Sequence, residues 1–198
     1  MIESERARNN YNNMNKDYTA FTAEKVGSKV ILRLLEKNDL ERSLQWLTDP
    51  LVNKYLSHNF KDLTNEQEEK WFNYIQESEQ DIVFAILDRE TGLHIGNCAL
   101  HKINRKKHSS ELGIVIGEKQ YWDKGYGTDA VKTLLRFALG GLGLSIIRLN
   151  VYKYNKRAIK AYSRCGFKTV KVLKNRHLYN GKYWDTIIME YMNGYIEN

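Results

Sequence analysis

The sequence predicts an α+β domain: a mixed, mostly antiparallel sheet of six to seven strands with helices packed against it. Three observations predict it. Apolar runs of strand length are interspersed with segments of helical spacing. Three strand runs in mid-chain follow one another directly through polar turns, the pattern of an antiparallel meander. Strand and helix then alternate, so helices must cover the sheet.

The elements follow in order. Residues 29–35 read as a strand. Asn38 is a candidate N-cap with Glu41 three residues on, and Leu40, Leu44 and Leu47 recur at helical spacing. Pro50 interrupts, and a short second helix carries Tyr55 and Leu56. Thr64 and Gln67 form a capping box for a helix whose apolar face holds Trp71 and Ile75. Residues 81–88, 93–102 and 110–117 are the meander. Val131, Leu134, Leu135 and Ala138 share one helix face that ends at Gly140-Gly141. Residues 146–152 form a strand, and residues 155–165 a helix stopped by Gly166. Residues 167–173 and 183–191 are the last strands, and Asn180-Gly181 is a hairpin signal.

Composition bounds the function. The 198 residues are 42% hydrophobic and 12% aromatic, enough for one core without disulfides. Residues 1–28 are polar and Asn-rich, and their four positive and four negative side chains cancel. They read as an extension, with residues 29–198 as a single domain carrying the whole net charge of +7. That excess favours anionic partners. Two cysteines and five scattered histidines offer no zinc pattern, so no metal is expected. No apolar run approaches the ~20 residues of a membrane span, and the first residues lack a signal peptide's apolar stretch, so the chain reads as cytoplasmic.

The most informative segment runs Tyr121-Trp122-Asp123-Lys124-Gly125-Tyr126-Gly127-Thr128-Asp129-Ala130. It leads from a strand into an amphipathic helix. A helix start presents unpaired N–H groups and a positive dipole end, and glycines let a ligand approach the backbone, so the segment suits a phosphate. Lys124 adds charge at the rim. Spacing alone leaves a plain strand-to-helix turn open. The dinucleotide pattern Gly125-x-Gly127-x-x-Ala130 is rejected: the turn does not directly follow a strand, and residues 148–154 hold no acid for a ribose.

Downstream lies Asn155-Lys156-Arg157-Ala158-Ile159-Lys160-Ala161-Tyr162-Ser163-Arg164-Cys165-Gly166-Phe167. Together with the glycine turn it resembles the Gcn5-related N-acetyltransferase (GNAT) family, most closely the branch acting on N-termini of ribosomal proteins. The resemblance extends over about residues 29–191. One departure is Trp122, where the family's turn carries Gln or Arg. The resemblance implies a central splay in the sheet and acetyl-CoA bound in it, between residues 113–117 and 146–152. Backbone groups of Ile114, Val115 and Ile116 would pair with the pantetheine arm. The amides of Lys124, Gly125, Tyr126, Gly127 and Thr128 would hold the pyrophosphate, and Asn155 would bond the cofactor arm or cap its own helix.

From spacing alone Tyr162 is a core aromatic beside Ala158 and Ile159. The resemblance implies instead that it protonates the departing thiolate, a task open to a phenol of pKa ~10. The Val115 amide is the expected oxyanion donor. Glu111 is the candidate base, with an exposed strand-edge carboxylate as the alternative. Cys165 sits at a helix C-terminus, where the dipole disfavours thiolate, and Cys98 lies mid-strand, so direct transfer in a ternary complex is expected.

Trp46, Tyr55, His58, Phe60 and Trp71 are candidate acceptor-binding side chains, with core packing the alternative for most. The hairpin from Asn180 to Trp184 is a candidate for closing the site or pairing two copies into a homodimer. The expected acceptor is a primary amine such as a protein N-terminus, with polyamines and aminoglycosides open. A non-catalytic RNA- or ribosome-binding module is the rival class. It rests on the loop Arg105-Lys106-Lys107, and no nucleic-acid-binding signature accompanies it.

Overall fold

The computed structural model describes residues 25–57 and 60–194. Eight strands among them form one sheet: β1 (Lys25–Val26), β2 (Val30–Leu34), β3 (Ile82–Asp88), β4 (His94–Asn104), β5 (Ser109–Ile116), β6 (Ile146–Tyr152), β7 (Lys168–Tyr179) and β8 (Lys182–Met192). The helices are α1 (Leu40–Thr48), α2 (Pro50–Asn53), α3 (Asn65–Glu77), α4 (Tyr126–Arg136) and α5 (Lys156–Arg164). The sheet order is β1-β2-β3-β4-β5-β6-β8-β7, antiparallel throughout except for the parallel pair β5–β6.

Seven of these strands are those expected from the sequence. The eighth, β1, pairs Lys25 with Leu32 and Val26 with Ile31. It belongs to the segment read as an extension, and it is tied down further on. The Asp129 carboxylate in the first turn of α4 accepts the N–H groups of Lys29 (2.7 Å) and Val30 (3.1 Å) and the Ser28 hydroxyl (3.0 Å).

Alternation along the strands gives the sheet two apolar faces. Ile82, Phe84 and Ile86 with Cys98, Leu100 and Leu112 point toward α4, whose buried stripe is Ala130, Val131, Leu134 and Leu135. Ala158, Ile159 and Tyr162 of α5 pack on the same core. Val83, Ala85 and Ala99 point the other way, against Leu40 and Ile75 of α1 and α3. Burying side chains of this size contributes about 1.5–3 kcal/mol each.

Local signals explain most boundaries. Thr64 Oγ1 accepts the Gln67 N–H and Gln67 Oε1 accepts the Thr64 N–H, the reciprocal cap read from the sequence. Asn180 and Gly181 adopt φ of 49° and 68°, the two left-handed positions of a tight hairpin. Asn38 is not the N-cap. Residues Lys37–Asp39 form a 3₁₀ turn, and α1 starts at Leu40, because the Arg33 guanidinium holds the Asp39 carboxylate through bonds of 2.7 and 2.8 Å. The helix expected to end at Gly140-Gly141 does so through a π turn, Phe137–Gly141.

The feature that positions the site is the β5–β6 seam. Only Ser109–Ile146, Ser110–Ile147 and Glu111–Arg148 are in register. Beyond them the strands part, leaving a notch between residues 112–116 and 149–152.

Candidate active site

A cavity of about 640 Å³ fills this notch and passes from the α4–α5 face of the sheet to the α1–α2 face. On the α4–α5 side it is lined by Gly125, Gly127, Thr128, Asn155, Arg157, Ala158, Ala161 and Tyr162. Glu111, Gly113, Ile114, Val115 and Ile116 form the β5 wall, and Leu149, Asn150 and Val151 the β6 wall. Tyr55, Leu56 and His101 lie at the α1–α2 mouth.

The glycine turn builds an anion cradle. Gly125 is the N-cap of α4 with φ 88°, a conformation glycine reaches without strain. The Asp129 N–H bonds the Gly125 carbonyl at 3.0 Å, but among the described residues no backbone acceptor meets the N–H groups from Asp123 to Thr128. These are the orphan donors of a helix start, beside the positive end of its dipole, and they fit a diphosphate. Lys124 and Tyr126 can contribute only main chain there. The Lys124 side chain is exposed and off the cavity wall. The Tyr126 ring is turned toward β3, edge-on to Tyr121 at 4.8 Å, with its hydroxyl 3.5 Å from Asp88.

Trp122 explains the departure in the turn. Its indole N–H donates to the Ile116 carbonyl at 2.7 Å, and the Arg157 guanidinium stacks on its ring, 3.9 Å from the centroid. Arg157 of α5 is thus seated on an aromatic platform beside the turn, 3.8 Å from the Asp123 carboxylate. Sequence reasoning passed over Arg157, although an Arg two residues after the helix-capping Asn155 was the available signal.

The parity of β5 corrects one expectation. Gly117 N–H bonds the Ile95 carbonyl at 2.9 Å, and the β4–β5 register runs unbroken from Gly96–Ile116 to His101–Glu111. Antiparallel alternation therefore makes Asn97–Val115 the next hydrogen-bonded pair. The Val115 amide faces β4, not the notch. Ile114 and Ile116 turn their peptide groups to the notch, and the Ile116 carbonyl is already taken by Trp122.

Asn155 caps α5: its Oδ1 accepts the Ala158 N–H at 3.2 Å. Among the described residues nothing accepts from its Nδ2, and the residue lines the cavity. Tyr162 also lines the cavity, with its ring 5.9 Å from that of Phe167. Burial, with a smaller contribution from Cys165, pushes its phenol above the ordinary value, so it holds its proton at neutral pH. Burial likewise pushes the Cys165 thiol up to about 11, and the Cys98 thiol higher still. Neither is a ready nucleophile.

On the opposite face Glu111 bonds Lys102 Nζ at 2.9 Å. Across the strand pair His101 Nδ1 contacts Asp81 Oδ1 at 2.8 Å. Burial acts to raise the Asp81 carboxyl, but the Ser78 hydroxyl and the His101 ring outweigh it and hold it below the usual range. The dyad was not seen in the sequence, because only the strand register brings residues twenty apart together.

The acceptor candidates divide. Tyr55 is at the cavity mouth, beneath Arg157, whose guanidinium lies 5.6 Å from its ring centroid. Trp46 is off the cavity wall, buried edge-on to His94 at 4.8 Å. Trp71 packs in the second core with Phe72 and Leu87. Phe60 is half-buried away from the cavity, and His58 lies outside the described residues.

Residues 29–168 match the acetyltransferase (GNAT) domain family. The chain belongs to the GNAT family. A spermidine N(1)-acetyltransferase of Vibrio cholerae is 27% identical to this GNAT chain, over 81% of it and 91% of the relative. A crystal structure of the V. cholerae spermidine N-acetyltransferase in complex with CoA and spermine superposes with a TM-score of 0.77 at 25% identity, covering 83% of this chain and 96% of that one. An uncharacterised protein of Methanocaldococcus jannaschii, MJ1062, is 28% identical over 76% of the chain, which spans 31% of that relative's length. Family and site together make this GNAT protein an N-acetyltransferase that takes its acetyl group from acetyl-CoA and gives it to an amine. Among the described residues no group of three or more His, Cys, Asp or Glu side chains could hold a metal ion, and no helix is long and apolar enough to cross a membrane.

Proposed function

We propose that the acceptor is a single primary amine on an otherwise uncharged group, a peptide N-terminus being the type that fits. The α1–α2 mouth carries the reading. Among the described residues both carboxylates on the cavity wall are already paired, Glu111 with Lys102 and Asp123 with Arg157, and Val52, Tyr55, Leu56 and Ser57 surround the mouth. A polycation would call for several carboxylates, each offsetting the desolvation of an ammonium.

In this reading the amides from Lys124 to Thr128 and the Arg157 guanidinium hold the diphosphate of acetyl-CoA. The free peptide edge at Ile114 aligns the pantetheine arm, and its N–H steadies negative charge on the thioester oxygen. The Tyr162 hydroxyl donates a proton to the departing sulfur. The amine enters from the opposite face and attacks directly.

Spermidine is the second reading, supported by relatives that act on it at 27% and 29% identity. CoA release decides between them, measured over a panel of N-terminal peptides, monoamines, spermidine, spermine and aminoglycosides. A kcat/KM for peptides or monoamines at least tenfold above that for spermidine is expected, and the reverse order refutes the proposal.

A further inference from the structure

An amine arrives in the notch as an ammonium, and a proton must leave before its lone pair can attack. Glu111 was the sequence candidate to take it, but Lys102 holds both its oxygens, at 2.9 and 3.1 Å. His101 sits directly opposite Glu111 in the β4–β5 register, on the same face of the sheet, and lines the same cavity. Its Nδ1 contacts Asp81 Oδ1 at 2.8 Å. A carboxylate can only accept, so Nδ1 is a donor in this contact, and in the neutral ring Nε2 keeps its lone pair.

Among the described residues nothing bonds Nε2. That edge of the ring lies over Gly113, with Nε2 and Cδ2 each 3.5 Å from where a β-carbon on Gly113 would sit. Asp81 is itself anchored: it is buried, and the Ser78 hydroxyl donates to its Oδ2 at 2.7 Å.

We propose that His101 is the general base of the acetyl transfer and that Asp81 is its positioning residue. The inference rests on the N-acetyltransferase reading of this notch. Nε2 takes one proton from the acceptor ammonium and passes it to solvent. The freed nitrogen lone pair forms the C–N bond, and the C–S bond breaks with its electron pair on sulfur. Tyr162 supplies the proton that completes the thiol, and the second proton on the adduct nitrogen restores the phenol. One proton is released per turnover, and no other reactant is consumed.

The groups facing His101 are Glu111 from β5, the neighbouring Lys102, Asp81 before β3, and Tyr74 of α3, whose hydroxyl is 3.4 Å from Asp81. Several titratable groups thus lie near the ring, so the kinetic break at low pH is assigned by mutation.

The test uses the full chain with its best acceptor from the amine panel. His101→Gln, His101→Ala and Asp81→Asn are expected to keep acetyl-CoA affinity within twofold. At pH 7 the two His101 variants should lose about 100-fold in kcat, and Asp81→Asn about tenfold. The loss should shrink at pH 9, where the acceptor deprotonates unaided, and added imidazole should restore His101→Ala at least tenfold. His101 variants within threefold of wild type at pH 7 overturn the proposal. So does a loss that stays the same at pH 9 and ignores imidazole, the mark of a merely structural histidine.

If a variant fails to bind acetyl-CoA, ¹⁵N-histidine spectra of the wild-type protein decide. The Nδ1–H tautomer is expected above the ring's titration, which should coincide with the kinetic break. The Nε2–H tautomer, or a titration apart from that break, overturns the assignment. Failure of every amine in the panel would refute the acceptor reading, while the tautomer would still judge the dyad on its own.

Discussion

Asn155 turns one polar atom to its helix and lines the notch as well, and substitution can separate the cap from the expected ligand contact. Its Oδ1 accepts the Ala158 N–H at 3.2 Å, while Nδ2 has no acceptor among the described residues and the residue lines the notch. Asn155→Asp keeps an N-cap of equal quality and adds charge favourable to the helix dipole, so stability should hold or rise slightly. The same change replaces a donor with an anion beside a phosphate-bearing ligand. A lost hydrogen bond of about 1 kcal/mol plus like-charge repulsion predicts at least a tenfold rise in the Kd for acetyl-CoA. Asn155→Ala should lose both functions. Its missing cap costs about 1 kcal/mol, which lowers Tm by roughly 2–4 °C, and its Kd should rise about fivefold. Calorimetry for Tm and titration calorimetry for Kd read the two separately. An Asp variant that binds acetyl-CoA within twofold of wild type would show that Asn155 only caps its helix.

Other substitutions probe other parts. Tyr162→Phe should lower kcat about 100-fold in single-turnover assays while leaving acetyl-CoA affinity unchanged; a twofold effect would remove the phenol from the chemistry. Arg157→Ala should weaken acetyl-CoA binding about tenfold at low salt and less at 0.5 M salt, whereas a salt-independent loss would point to packing on Trp122 instead. Gly117→Ala would drive a β-carbon into the buried Trp46 indole, costing about 2–3 kcal/mol and roughly 5–10 °C in Tm. An unchanged melt would mean Trp46 can move aside. Burial raises the Glu68 carboxyl to about 7 from an unfolded value near 4.5, so the folded state binds the extra proton and stability falls as pH rises between those values. Glu68→Gln should escape that loss and gain about 1–2 kcal/mol over wild type at pH 8 relative to pH 5 in urea titrations, after allowance for solvent screening. A gain equal at both pH values would refute it.

Signals carried by neighbouring residues were legible in the sequence. The Thr64–Gln67 cap, the Asn180-Gly181 hairpin and the Gly125 turn each depend on local backbone chemistry, and each stands where it was read. Signals set by pairing between strands were not legible. Whether Val115 or Ile114 turns its amide to the notch depends on a parity that Ile95 and Gly117 establish from another strand. The Asp81–His101 dyad depends on the same kind of register. Trp46, Trp71 and Tyr55 look alike in sequence, since large aromatics serve cores and ligand mouths equally well. Only packing, Trp46 against Gly117 and Trp71 against the second core, separates the two tryptophans from the ligand mouth. The strand β1 escaped notice because two residues in a polar segment carry no periodicity.

The short seam between β5 and β6 has a cost and a use. With three residue pairs stitching them, the two halves of the sheet meet at their weakest point in the middle of the molecule. Peptide groups there that would normally be locked into a ladder stay available to water. A ligand threaded through the gap takes the place of the missing pairing and fastens the halves to each other. Amide exchange at Ile114 and Asn150, whose peptide groups face the gap, should therefore slow sharply on loading, so that substrate capture doubles as the last step of sheet assembly.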